Sequence, residues 1–252
     1  MHPMAHEYQW NRSPANVTLS QEDVHVWCAS LDQSRERVQW LARTLNAEER
    51  VRARRFYFEQ DRMRFIVAHG LLRTMLGHYS GTRPGRLRFR YSAQGKPSLA
   101  RTFAGDGLRF NQARSHGLAL YAFTLNREIG VDLQAIRLVS QAEWVTKRLF
   151  SDQEMLVFQA LAEHEKQEAF FRYWTCKEAY VKASGEGLAQ PLDQVDVSLA
   201  AEKPAKLLGI NGDVQAASRW SLQELKPATG LAAALVVEGF GYHLACWQWS
   251  EP

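Results

Sequence analysis

WTCKEAYVKASGEGL, Trp174 to Leu188, is the stretch that decides the fold of this chain. It runs without proline or glycine as far as Ser184 and then meets Gly185 and Gly187, the pattern of a helix that ends at a glycine stop. Residues four apart share one face of a helix. Trp174, Glu178 and Lys182 therefore form a stripe about 12 Å long at roughly 1.5 Å per residue. Lys177 stands beside Glu178 but is turned about 100° away. A carboxylate flanked by two lysines and a large aromatic ring suits the handling of phosphate with a metal ion. The same residues also suit an exposed Glu–Lys pair worth about 0.2–0.5 kcal/mol.

Working outward, Ser151 with Glu154 forms a capping box that opens a helix running through Leu161, and Glu165 starts the helix containing the opening stretch. Before it, Ile129 to Leu133 (IGVDL) reads as an apolar strand interrupted by Asp132. A carboxylate inside such a strand is costly to bury unless it is paired or metal-bound. Asp132 and Gln134 point the same way on a strand, so both can reach one cation; a strand-end Asp that caps a loop is the other reading. Leu118 to Thr124 is a strongly apolar strand, and Asn126 to Glu128 is a turn. Beyond Gly187 the pattern is strand-like over Gln194–Leu199, Lys206–Ile210, Arg219–Leu225, Leu231–Val237 and Tyr242–Trp247.

Toward the N-terminus, residues 1–20 read as an irregular extension and Val24–Leu31 as a strand. Ser34–Leu45 reads as a short helix. Asn46 with Glu49 is a second capping box, for a helix carrying Arg50, Arg52, Arg54 and Arg55. Asp61–Tyr79 has Phe65, Ala68, Leu72 and Leu76 at helical spacing. Leu87–Tyr91 alternates as a strand and leads into the turn SAQGKP. This order predicts an α+β protein of two similar halves meeting near residue 125, with an extension at 1–20, an N-terminal half at 21–125 and a C-terminal half at 126–252.

Composition bounds the function. The chain has 252 residues, 46% hydrophobic and 23% charged, which suits one large or two small globular domains. Cys28, Cys176 and Cys246 form neither a disulfide framework nor a zinc spacing, as expected in the cytoplasm. The first 20 residues lack the apolar core of a signal peptide, and no apolar run reaches membrane-spanning length. Arg43 to Arg73 holds eight arginines against four acids, an excess equal to the +4 of the whole chain. Basicity this local points to one anionic site rather than to a nucleic-acid-binding coat. Phosphate loops of the GxxxxGK type, GxGxxG and GxSxG are absent.

GVDLQ (Gly130–Gln134), followed 40 residues later by WTCKEAYVKASGEGL, resembles the GxDxE … WxxKEAxxKxxGxGL signature of the 4′-phosphopantetheinyl transferase superfamily. Segment length and order resemble its long, surfactin-synthetase-activating type. RRFYFEQDRMRF (Arg54–Phe65), QGKP (Gln94–Pro97), FNQARSHGLALYA (Phe110–Ala122) and RLFSDQE (Arg148–Glu154) support the resemblance, which covers about residues 45–200. It implies a pseudo-twofold single chain, each half a small, mostly antiparallel sheet packed by helices. It also implies Mg2+-dependent transfer of phosphopantetheine from coenzyme A to a serine of an apo acyl or peptidyl carrier protein of peptide, polyketide or fatty-acid synthesis, with release of adenosine 3′,5′-bisphosphate.

The implied site is specific. Asp132, Glu178 and Lys182 are the catalytic set, and Asp132, Gln134 and Glu178 the metal set. Glu178, or a water it orients, is the base. Lys182 and Lys177 face phosphate, Lys96 and Pro97 the adenine, Arg52 and Arg64 the outer phosphates, and Arg114 and Ser115 a further phosphate. Two departures stand out: the superfamily usually has Glu at Gln134, and its FNxSHS reads FNQARS here, with Ala113 for a hydroxyl residue and Arg114 for a histidine. The resemblance further implies a monomer that binds neither nucleic acid nor membrane. The competing reading is a relative that binds coenzyme A and carrier without catalysing transfer.

Overall fold

The computed structural model describes residues 10–12, 14, 17–100, 107–137, 146, 148–199 and 204–250. Its first part runs β1 (Asn11–Arg12), β2 (Asp23–Ser30), α1 (Arg35–Ala42), α2 (Ala47–Arg54), α3 (Glu59–Ser80), the hairpin β3 (Phe89–Tyr91) and β4 (Pro97–Leu99), then β5 (Leu108–Ser115) and β6 (Leu118–Leu125). The second runs β7 (Ile129–Ala135), α4 (Asp152–Ala160), α5 (Glu163–Ser184), the hairpin β8 (Val195–Ser198) and β9 (Lys206–Ile210), α6 (Val214–Ala217), β10 (Trp220–Leu225), β11 (Leu231–Glu238) and β12 (His243–Gln248). The fold is α+β, and the halves share a plan of strand, short helix, long helix, hairpin and two further strands.

The likeness extends to buried chemistry. The long helices α3 and α5 each have 22 residues and stop at a left-handed glycine, Gly81 or Gly185. Each follows a short helix with a capping box, Asn46 with Glu49 and Ser151 with Glu154. In both halves the capping-box carboxylate also meets a buried cation from the long helix. Arg73 Nε lies 2.7 Å from Glu49, and Lys177 Nζ 2.5 Å from Glu154. Arg73 and Lys177 occupy the same step of their helices, counted from Glu59 and Glu163. Both donate further bonds to carbonyls, Arg73 to Pro84 and Leu87, Lys177 to Leu149 and Leu192. A buried charge is tolerable only when paired and hydrogen-bonded in this way.

The sheets depart from strict duplication. One has the order β10-β11-β7 and is antiparallel. The other has the order β1-β12-β2-β6-β5, in which β12 runs parallel to β2 and β1 parallel to β12. The last strand thus crosses back into the N-terminal sheet, where Trp247 and Trp249 pack on Trp27 with ring centroids 4.7 and 5.6 Å away. A division at residue 125 therefore separates the two sheets only as far as β11. The expected extension contributes β1 and the Trp10 indole, which donates to the Lys226 carbonyl; residues 1–9 lie outside the described residues.

Two close approaches position the site. At the seam, β5 lies beside β7, and its side chains replace a strand ladder: the Val131 amide donates to Asn111 Oδ1 (3.1 Å) and the Ala135 amide to Ser115 Oγ (2.9 Å). Helix α5 rests on the other face of β7 at Gly130, where a Cβ would fall 2.0 Å from the Ala179 carbonyl oxygen. Only a residue without a side chain lets the helix sit this low. Gly130→Ala is expected to push α5 off the strand and cost about 1–3 kcal/mol or more, with loss of activity. Urea unfolding measures the first; wild-type stability together with wild-type turnover would show that the contact is not needed.

Candidate active site

The seating of α5 on β7 brings Asp132 opposite the stripe that begins at Trp174. Strand alternation sends Val131 and Leu133 into the core between the sheets and Asp132 toward the helix. Asp132 is 3% exposed. Lys182 Nζ donates to Asp132 Oδ1 (2.5 Å) and to the Val131 carbonyl (3.3 Å). Gln134 shares the face, with Nε2 3.4 Å from Asp132 Oδ2. Trp174, Glu178 and Lys182 are the half-exposed edge of a helix whose neighbouring positions are buried.

The electrostatics of this edge are strained in one direction. Burial pushes the Asp132 carboxyl above its usual range, and Lys182 and Gln134 work against that push. Burial also raises Glu178, and the Asp132 carboxylate raises it further, with Lys182 opposing. Burial thus pushes both carboxyls up, and Lys182 is the cation that holds each of them down. Among the described residues no group of three or more His, Cys, Asp and Glu is arranged to hold a metal ion by itself. The donor set is two carboxylates and an amide, all hard oxygen ligands. That fits Mg2+, which takes one or two protein carboxylates and completes its shell with phosphate and water.

A second cluster lies on the N-terminal half, around Phe65 of α3. The Arg52 guanidinium stands 5.8 Å from its ring centroid and that of Arg114 5.9 Å. Among the described residues neither has a carboxylate partner. The ring of His69 lies 4.1 Å from that of Phe65, and its Nδ1 is 3.7 Å from Glu49. His69 escaped the sequence reading; its signal was its place one helical turn after Phe65.

Four expected ligand residues are engaged elsewhere. Lys177 is fully buried, its ammonium enclosed by Glu154 and the Leu149 and Leu192 carbonyls, so it is a structural strut and leaves the phosphate-binding set. Arg64 grips Asp32 with both Nε and Nη2, at 2.7 and 2.8 Å. Lys96 donates to Glu128 (2.7 Å) and to the Ala183 carbonyl (2.8 Å), tying the hairpin turn to the end of α5. Ser115 accepts the Ala135 amide and serves the seam. Pro97 opens β4 opposite Tyr91, in the hairpin whose Gln94 meets Gly187.

Comparison with known proteins identifies the family. The model of the 4′-phosphopantetheinyl transferase superfamily matches residues 128–236, and that of the 4′-phosphopantetheinyl transferase N-terminal region matches residues 29–123. The 4′-phosphopantetheinyl transferase HetI of Nostoc sp. is 43% identical over 96% of this chain and 99% of its own. A putative 4′-phosphopantetheinyl transferase of Synechocystis sp. is 35% identical over 60% of this chain and 61% of its own. The 4′-phosphopantetheinyl transferase Sfp of Bacillus subtilis is 28% identical over 62% and 66%. With its length matched almost end to end by such a relative, the chain belongs to the 4′-phosphopantetheinyl transferase superfamily, enzymes that act on coenzyme A and carrier proteins.

Proposed function

We propose that this transferase works at the edge where α5 faces β7, with Asp132 and Glu178 as the carboxylates that hold Mg2+. The observation that carries the reading is the buried Asp132 set against Glu178, both driven toward neutrality. Mg2+ bound there would offset the charge of the coenzyme's pyrophosphate. Glu178, or a water it orients, takes the proton of the carrier serine. The serine oxygen attacks the β-phosphorus, the bond from that phosphorus to the bridging oxygen breaks, and adenosine 3′,5′-bisphosphate leaves. Lys182 exchanges Asp132 for the leaving phosphate and donates to its developing charge.

Arg52 and Arg114 are assigned to an outer phosphate of the coenzyme because, among the described residues, they are cations left without a carboxylate. Lys96 acts here as a positioning residue, holding the hairpin turn against the C-terminus of α5. The reaction is assigned to a monomer, since both clusters come from one chain. The three free, buried cysteines support a reducing compartment such as the cytoplasm.

The test is to incubate the protein with coenzyme A, Mg2+ and an apo carrier protein and to weigh the carrier. The expected result is addition of one phosphopantetheine that stops when Mg2+ is chelated; an unmodified carrier would return the chain to a binding role. Two variants refine the site. Gln134→Glu restores an anionic oxygen and is expected to lower the Mg2+ concentration needed for half-maximal rate; an unmoved titration curve would take Gln134 away from the metal. Arg114→Ala is expected to weaken coenzyme A by about 1.5–3 kcal/mol, the range for a hydrogen bond to a charged group. Calorimetry without that loss would leave Arg114 a surface residue.

A further inference from the structure

We propose that His69 takes up a proton when coenzyme A seats an outer phosphate between Arg52 and Arg114, so that the coenzyme binds more tightly as pH falls from about 8 to about 6. The inference rests on the assignment of those arginines to a phosphate and goes beyond it. Three groups able to carry positive charge share one aromatic ring, that of Phe65: His69 at 4.1 Å, Arg52 at 5.8 Å and Arg114 at 5.9 Å. His69 is the member whose charge is free to change near neutral pH.

Every element around the ring contributes to the balance. From α2, Glu49 faces His69 and Arg52 opposes it; from β5, Arg114 opposes it. Arg73, on α3 with His69, holds the other oxygen of Glu49, and Tyr91 of β3 looks toward Glu49 and Arg52. Burial pushes the Glu49 carboxyl up, but His69 and Arg73 outweigh it and hold the group at about 2. Glu49 is therefore a fixed negative partner through the whole range. In the free protein, burial first and then the fields of Arg114 and Arg52 hold the His69 imidazole below its usual pKa, against the pull of Glu49.

A phosphate dianion at the arginines cancels the two charges that oppose protonation, while Glu49 remains. The imidazolium is then favoured more than in the free protein, with burial as the remaining opposition, and it adds to the grip on the phosphate. Proton uptake and tighter binding at lower pH are the same linkage seen from two sides. Each unit by which binding raises the His69 pKa is worth up to about tenfold in affinity. The phosphate itself titrates near pH 6 and loses its proton on meeting arginine, with the opposite sign, so the histidine contribution is read as a difference between variants.

The experiment is calorimetry of coenzyme A at fixed Mg2+, near pH 6.5, in buffers of different ionisation heat, on wild type and His69→Gln. Wild type is expected to take up more protons per coenzyme, by a measurable fraction of one. Its affinity should rise severalfold more than that of His69→Gln between about pH 8 and about pH 6. In wild type alone, the His69 ring carbon resonance should move to its protonated position when coenzyme A is added. Equal proton uptake by the two proteins, or a His69 resonance that stays neutral with coenzyme bound, overturns the inference. Arg52→Ala and Arg114→Ala separate the two layers. If both bind coenzyme A as wild type does, the phosphate assignment fails; if they lose affinity while wild type and His69→Gln take up protons equally, only the role of His69 fails.

Discussion

Glu178→Gln keeps the shape of the site and loses kcat by about a hundred- to ten-thousandfold, the scale of a general base. Asp132→Asn is expected to lose activity to a similar or greater degree, because the proposed metal edge is then left with one carboxylate. The fold should not suffer. Burial raises the Asp132 pKa, so its ionised form is a cost to the native state at neutral pH, and that cost grows as pH rises from the unfolded toward the folded pKa. Asparagine removes it. Lys182, left without its partner, is 30% exposed at the side chain and can turn to water. Urea midpoints at neutral pH should therefore be unchanged or higher for Asp132→Asn. Near-normal turnover by either variant would take that residue out of the active site.

The opposite outcome is expected five positions along the same helix from Lys182. Lys177→Met leaves the Glu154 carboxylate, 5% exposed at the side chain, without its ammonium. The Ser151 and Val197 amides still donate to it, but the Leu149 and Leu192 carbonyls lose their donor. Breaking a buried ion pair from one side costs about 3–5 kcal/mol, a large part of the stability of a protein this size. Lys177→Met/Glu154→Gln should recover part of the loss, because no charge is then stranded. Lys182→Met should remove turnover; it also takes the ammonium from the buried Asp132, and is expected to cost less than Lys177→Met because Lys182 itself is 30% exposed at the side chain. Urea unfolding of the four proteins decides the matter: a Lys177→Met protein as stable as wild type would mean that the ammonium does not brace Glu154.

This contrast marks how far the sequence could be read. Helical spacing placed Trp174, Glu178 and Lys182 on one edge, and strand alternation placed Asp132 with Gln134, because both periodicities are local. The capping boxes at Asn46 and Ser151 were legible for the same reason. What Lys177 faces is not local: Glu154 lies on the preceding helix and reaches it only through the packing of α4 on α5. Arg64 and Lys96 are matched by Asp32 and Glu128, 32 residues away in each case, which no periodicity discloses. The return of β12 to the N-terminal sheet is likewise a non-local pairing; the alternation of Tyr242–Trp247 announces a strand but not its neighbour. His69 was concealed by a different rule, since a histidine on the inner face of a helix is commonly a packed core residue, and its meaning depends on Arg114 arriving from β5.

The most direct test of the account is a crystal structure with coenzyme A and Mn2+ in place of Mg2+, phased to locate the metal by its anomalous signal. The account predicts one peak within bonding distance of the Asp132 and Glu178 carboxylates, Lys182 turned from Asp132 to a phosphate, and a second phosphate against Arg52 and Arg114. A metal bound away from both carboxylates, with Lys182 still on Asp132, would contradict it.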